Sequence, residues 1–552
     1  MNPLSRREVL TSSAAGCALA LAPTLLLPAR SALAEGHRVI TAVRRTIEVK
    51  GRSAAVFGIE GAGGARGLVM TAGERFRVRV ENRLGEPTSL HWHGLTPPWQ
   101  QDGVAGISQE PIPDGGGHDY DFVVARPGTN WMHSHFGLQE QRLLAAPLIV
   151  RDPAEAGADI QEVVVLFHDF SFRDPQEILA GLKGGGTAHG GGAAPAGGMA
   201  HGGMTQGGMT QGGAVAAGGQ GASGMAGMDH RGMAGMGRAM NHGAMSGAAG
   251  GRPAAGMDHG GMAMGGAAAS GHSGHGAAPA GMAVHLQDVA YDALLANDRT
   301  LDDPEVIAVE GSGRVRLRLI NGAASTNLWV DLGPLQGRLV AVDGMPVQPL
   351  SGSRFELAVA QRLDILLDLP RQAAAWPVLA VQEGGRLRGG IVLAAPGARV
   401  EKLGDQAGEA YPAVGAGLEQ RLRAAHPLAE KAVTRRHDMV LGESAGYVWT
   451  LDGAVYGQDR PLAMRAGDRF ELTFVNRTGM SHPMHLHGHH FQVVAVDGRR
   501  FQGALRDTVL VPGGMGSVTV AFDADNPGRW ALHCHHLYHM EGGMMTSMAY
   551  EA

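Results

Sequence analysis

One strand pattern occurs three times in this chain, and few folds accommodate it. Gly73-Glu74-Arg75-Phe76 opens a stretch in which polar and apolar residues alternate through Arg75-Phe76-Arg77-Val78-Arg79-Val80 and which ends at Asn82-Arg83. Gly467-Asp468-Arg469-Phe470 opens a second, with Arg469-Phe470-Glu471-Leu472-Thr473-Phe474 running to Asn476-Arg477. A third copy, Arg314-Val315-Arg316-Leu317-Arg318-Leu319, lies between Gly313 and Asn321. Alternation with period two is the pattern of a half-buried β-strand, and Gly and Pro turns around it point to antiparallel sheets in sandwiches or barrels. Copies this far apart mean duplicated domains rather than a solenoid. The expectation is an all-β chain of three related domains, at residues 35–153, 154–400 and 431–552, with a linker over 401–430.

The copies differ in the residues just beyond them. The first runs into His91-Trp92-His93-Gly94 and the last into His485-Leu486-His487-Gly488, three residues after His482. A second element repeats as well. Pro127-Gly128-Thr129-Asn130-Trp131 leads into His133-Ser134-His135, and Pro527-Gly528-Arg529-Trp530 into His533-Cys534-His535. The middle copy runs into Gly322-Ala323-Ala324-Ser325 and carries no histidine. The outer domains are armed and the middle one is not. Alternation along a strand places both histidines of an H-x-H pair on one face, close enough to serve one cluster.

The Cys534 stretch adds a thiolate to these imidazoles. His539 and Met544 follow it, and thiolate, imidazole and a weak axial thioether are the donor set of a blue copper site. In an extended strand Cys534 faces one way while His533 and His535 face the other. One strand then holds a copper on one side and feeds a second metal site on the other. Zinc also takes imidazoles, but the Cys/Met site and the order of metal affinities favour copper.

Composition narrows the setting. The 552 residues carry a net charge of −6 with no basic stripe, which excludes nucleic acid as a partner. Ser5-Arg6-Arg7-Glu8-Val9-Leu10, the apolar run from Ala14 to Leu27 and Ala32-Leu33-Ala34 read as a twin-arginine export signal over residues 1–34. Pro23, Pro28 and the shortness of the run argue against a membrane anchor. The mature chain is expected in the periplasm or outside the cell, as a monomer. Of the two cysteines, Cys17 leaves with the signal, so Cys534 has no disulfide partner. A lone thiol in an oxidising compartment is a hazard unless buried or ligated, and copper ligation explains its presence.

Residues 184–283 are Gly, Ala, Met and His with little to form a core, and disorder is expected. The segment holds half of the 26 methionines and two copies of Met-Asp-His, at 228–230 and 257–259. Thioethers prefer Cu(I), so the segment reads as a copper-collecting tether, with a plain linker as the alternative.

The four motifs resemble those of the multicopper oxidases, the laccase-like family of three cupredoxin domains, over essentially all of the mature chain except the insert. His133-Ser134-His135 with Gln139-Glu140-Gln141, and Tyr538-His539-Met540-Glu541 before Met544, look most like the bacterial copper-resistance (CopA-like) oxidases. The resemblance implies Greek-key cupredoxin domains and four coppers. His482, Cys534, His539 and Met544 would hold the type 1 copper, and His91 and His485 the type 2. His93, His133, His135, His487, His533 and His535 would hold the type 3 pair. It also implies the catalysis: electrons enter at type 1, pass along Cys534, and reduce O₂ to water. Asp102 matches a carboxylate the family places near the cluster, a proton donor or a group that orients ligands, although Asp102-Gly103 is also an ordinary turn pair. Met540 stands where some relatives have an acid, with Glu541 next, which leaves a second proton route open. The implied reductant is Cu(I), in copper tolerance, with phenolic donors also possible. The alternatives are a laccase with an organic substrate and a periplasmic copper-binding buffer.

Overall fold

The computed structural model describes residues 37–184 and 285–551. The expected export signal and the Met-rich insert lie outside the described residues. Six sheets account for most of the rest, two for each repeat. Each repeat has its own apolar core. That of the first includes Phe76, Val78, Val80 and Trp92, that of the second Leu317, Leu319 and Ile365, and that of the third Phe470, Leu472, Phe474 and Cys534. Apart from Trp92, Ile365 and Cys534, these are the inward positions of the three alternating stretches, which form the strands Arg75–Arg83, Arg314–Asn321 and Arg469–Asn476.

The sheets are mixed rather than purely antiparallel. Strand Arg38–Val49 runs parallel to Arg75–Arg83, Gln161–Phe170 to Arg314–Asn321, and Arg435–Ser444 to Arg469–Asn476. The second sheet of each domain also contains one parallel pair. The chain crosses between the two sheets of a sandwich and re-enters beside a strand of the same sense, whereas directly joined hairpins alone would give only antiparallel neighbours.

The asparagine that closes each copy has one job in all three. Asn82, Asn321 and Asn476 are wholly buried. Each accepts at Oδ1 from a backbone N–H two residues on, and donates from Nδ2 to carbonyls of two loops. A buried amide that satisfies three backbone groups locks the turn leaving the strand. In the outer domains, that turn leads to the histidines.

One helix was not expected. Pro175–Lys183 starts at Asp174, whose side chain caps the Gln176 N–H, with Pro at the first position. Ile178, Leu179 and Leu182 form its buried face, packed with Val289, Leu537 and Tyr538. Among the described residues no helix is long and apolar enough to cross a membrane.

Candidate metal centre

The predicted ligand histidines lie in or next to strand ends, except His539, which lies in the short helix Leu537–Glu541. His91 ends Leu90–His91, His133 lies at the end of Gly128–Ser134, and His533-Cys534 ends Arg529–Cys534. His93 and His487 lie in the turns beyond their strands, and His135 and His535 directly follow theirs. The H-x-H pairs therefore do not share one face of a continuing strand, as alternation alone suggested. Gly94 (φ +94°) and Gly488 (φ +67°) turn the chain at once, a backbone conformation that side chains resist. The partners converge instead around the strand's end.

The two outer domains use the same register. His91 lies opposite His133, and His485 opposite His533. The domains then interleave. His93 stacks on His485 with ring centroids 3.8 Å apart, and His91 lies against His487 at 3.9 Å. Eight buried imidazoles meet here, and potential donor sets include His91/His485/His487, His91/His93/His133 and His135/His487/His533.

Six of these rings, His91, His93, His133, His485, His487 and His533, have one nitrogen committed to a non-histidine partner. His91 Nδ1 bonds the Asp102 carbonyl (3.0 Å) and His485 Nδ1 the Asp507 carbonyl (2.8 Å). The aspartate side chains cross over. His487 Nδ1 lies 2.8 Å from Asp102 Oδ2, and His93 Nε2 lies 3.0 Å from Asp507 Oδ1. His133 Nδ1 is 3.0 Å from Glu140 Oε2, and His533 Nδ1 is 3.0 Å from the Cys534 carbonyl. The remaining nitrogens of His91, His93, His133, His485 and His535 are buried without a hydrogen-bond partner among the described residues. An orphaned buried acceptor is costly, so five at one place point to an absent electrophile. Burial and neighbouring imidazoles hold His93, His135, His485, His487 and His535 well below the ordinary histidine range, and burial holds His533 at about 3. These rings are neutral and can ligate a metal.

Cys534 points the other way, into the third domain's core. Its Sγ lies 3.6 Å from His482 Nδ1 and 3.7 Å from His539 Nδ1, which are 3.2 Å apart. The outer nitrogens are tied down. Thr478 Oγ1 is 2.7 Å from His482 Nε2, and Asp288 Oδ2 is 2.9 Å from His539 Nε2. The Asp288 carboxylate can only accept, so His539 carries its proton on Nε2, and both rings turn Nδ1 towards the sulfur. Met544 is buried in the same core, its backbone bonded to Cys534 and His539. Trp449 stacks on His539 at 3.9 Å. The thiol is pushed up by burial, so a cation is needed to make it a thiolate. Thiol, two imidazoles and an adjacent thioether match copper's preferences, as do the all-imidazole sets.

Three models of the multicopper oxidase family match residues 41–155, 268–394 and 430–552, two-thirds of the chain between them. The chain belongs to the multicopper oxidase family. It is a copper-dependent oxidoreductase with O₂ as acceptor. It is 29% identical over 492 residues to multicopper oxidase MmcO of Mycobacterium tuberculosis, covering 87% of this chain and 80% of that protein. It is 23% identical to a copper resistance protein A homolog of Pseudomonas syringae pv. tomato, covering 87% and 86%. The solved laccase of Botrytis aclada shares the fold with a TM-score of 0.64 at 19% identity, covering 93% and 88%.

Asp102 faces the cluster and also closes a turn: Gly103 (φ +82°) follows it, and a side chain there would strike the Leu90 carbonyl. Asp507, Glu140, Asp288 and Thr478 were not visible from the sequence as partners of ligands. Glu140 lay in view inside Gln139-Glu140-Gln141. Asp507 lies 22 residues after His485 whereas Asp102 lies 11 after His91, so the repeat did not align the pair. Met464, Met484 and Met548 pack in the third domain's core.

Proposed function

We propose that this multicopper oxidase is an exported cuprous oxidase: it takes single electrons from Cu(I), with phenols as secondary donors, and delivers them to O₂ in copper tolerance. Four bound coppers would supply the four one-electron centres that reduction of O₂ to two waters needs. His482, Cys534, His539 and Met544 hold the electron-accepting site. His91 and His485 hold the single ion of the cluster, and His93, His133, His135, His487, His533 and His535 hold its pair. Cys534 is bonded in the chain to His533 and His535, so the accepting site and the cluster are joined covalently. Asp102 keeps the proton of His487 on Nδ1, and its Oδ1, buried without a hydrogen bond among the described residues and 3.3 Å from His91 Nδ1, handles protons for the cluster.

One observation carries the choice of Cu(I). The described residues that flank the Met-rich segment on either side lie beside the accepting site. The helix leading into it packs on Leu537 and Tyr538, and Asp288, just past its far end, bonds His539. A thioether-rich tether rooted there keeps Cu(I) within reach of the edge at which an electron enters. The twin-arginine pattern supports export, and the copper resistance relatives support the role in copper tolerance.

Oxygen uptake by the copper-loaded chain, with Cu(I) and then with a phenol, tests the reading beside the same assay after deletion of 184–283. Loss of Cu(I) turnover with phenol turnover retained supports it. Equal activities before and after deletion refute the tether. Uptake with phenol alone makes the chain a laccase, and a blue band without uptake makes it a copper buffer.

A further inference from the structure

The middle domain has no ligand motif, yet it reaches the cluster. Arg362, at the start of strand Arg362–Asp368, is wholly buried. Its Nη1 and Nη2 donate to Oδ1 (2.7 Å) and Oδ2 (2.5 Å) of Asp507 in the third domain. Its Nε donates to the Thr129 carbonyl (3.1 Å) in the first. Asp343 stands behind it, accepting from the Arg362 backbone N–H and from Arg506 Nε, both at 2.9 Å. Three domains thus meet on one guanidinium. The turn carrying His93 comes up against it: a Cβ on Gly94 would lie 2.6 Å from Arg362 Nη2.

Asp507 is the partner that turns His93 over. Among the cluster rings with an orphaned nitrogen, His91, His133, His485 and His535 leave Nε2 free, and His93 alone leaves Nδ1 free. Its Nε2 is taken by Asp507 Oδ1 and by Thr508 Oγ1 at 3.2 Å. We infer that Arg362 is a positioning residue of the oxygen-reducing cluster: by fixing the Asp507 carboxylate, it determines which nitrogen His93 presents to the metal. This rests on the reading that the imidazole cluster holds copper.

A two-point guanidinium–carboxylate pair sets an orientation as well as a charge, and a buried carboxylate stripped of its cation is left uncompensated. The related Asp102 has no such partner, and its Oδ1 makes no hydrogen bond among the described residues. The middle domain therefore makes two otherwise equivalent aspartates different. It clamps Asp507 with a guanidinium and gives Asp102 none, so that Asp102 meets only imidazoles, His487 Nδ1 at 2.8 Å and His91 Nδ1 at 3.3 Å.

The test compares Arg362→Lys with Arg318→Lys in the full chain. Arg318 is also buried and joins the middle domain to the first through Thr129 Oγ1, with Asp364 of its own domain beside it, but it touches no partner of a histidine. Lysine keeps the charge and loses the fork at both places. Copper per chain, the electron paramagnetic resonance of the non-blue copper, the blue absorption and the melting of the metal-free chain are measured. Arg362→Lys is expected to weaken cluster copper by about tenfold or more and to alter the non-blue resonance, with the blue band kept. Arg318→Lys is expected to leave all three as in wild type. Equal affinities and identical resonances for the two variants overturn the inference. So does an equal loss in both, which would be general weakening of the domain contact. If the wild-type chain binds copper at the blue site alone, the cluster reading itself fails, and this inference with it.

Discussion

Replacing Asp102 with asparagine separates a group that orients ligands from a residue that merely makes a turn. Asn has nearly the size of Asp and suits the same turns, so the turn before Gly103 survives. What disappears is the charge 2.8 Å from His487 Nδ1. A hydrogen bond to a charged group contributes about 1.5–3 kcal/mol and a neutral one about 0.5–1.5. The amide oxygen still accepts from His487, so the net loss is about 1–2 kcal/mol. That corresponds to a fall of roughly 5–30-fold in copper affinity at the cluster. Asp102→Ala loses the acceptor too and falls further, towards the upper end of the ~10–100-fold range for such partners. Copper titration against a competing chelator gives the affinities, and oxygen uptake gives the rate. Melting of the metal-free chain is the control, expected unchanged or higher for Asp102→Asn, since a buried charge has gone. Wild-type affinity and rate in Asp102→Asn would refute the argument and leave Asp102 as a turn residue.

Cys534→Ser should abolish the blue absorption and oxygen uptake with every donor while the chain still folds; residual turnover would mean that electrons bypass the thiolate. His490 is half-buried, its Nδ1 is enclosed without a hydrogen-bond partner among the described residues, and desolvation holds it at about 4. Its folded-state value is depressed, so the unfolded chain takes up the proton first, and stability is lost as pH falls from about 6.5 towards 4. Between pH 7 and pH 5 the metal-free wild type should lose about 2 kcal/mol more than His490→Gln in denaturant melts; parallel profiles would contradict this. A Cβ on Gly488 would lie 2.5 Å from the Trp530 ring at φ +67°. Gly488→Ala should therefore destabilise the chain by about 3 kcal/mol or more, and a shift under 1 kcal/mol would show that Trp530 moves aside freely.

The fold was legible because its signal is local. Alternation in Arg75–Arg83, Arg314–Asn321 and Arg469–Asn476 marks buried faces, and the closing asparagines mark turns that recur in all three copies. The ligand residues were legible because imidazoles and a lone cysteine have few other reasons to be paired and repeated. The parallel strand pairs were not, since alternation is blind to strand sense. Nor were Asp507, Glu140, Asp288 and Thr478. Each acts on a histidine from another turn or another domain, and their residue types are among the commonest on any loop. The helix Pro175–Lys183 had a readable start at Asp174-Pro175, but its apolar face is only one turn deeper than a loop's.

The organisation of the centre follows from an imidazole having two nitrogens. A ring held by one nitrogen is free to rotate about its side-chain bonds, and a cluster of such rings would collapse onto the nearest donors. Here the second nitrogen is fixed by a group the metal does not touch. Two of those groups, Asp102 and Asp507, reach across the boundary between the first and third domains to a ring of the other. Each domain therefore leaves one of its histidines, His93 or His487, to be oriented by the other. The cluster takes shape only as the domains dock, and the docking is set by the middle domain, whose Arg362 bonds both. Cys534 sits outside this exchange. Its donors come from the third domain, with Asp288 of the second closing the edge of His539. The proposed electron-accepting site therefore draws its donors from one domain, whereas the proposed oxygen-reducing site draws its histidines from two and its Arg362 contact from the third.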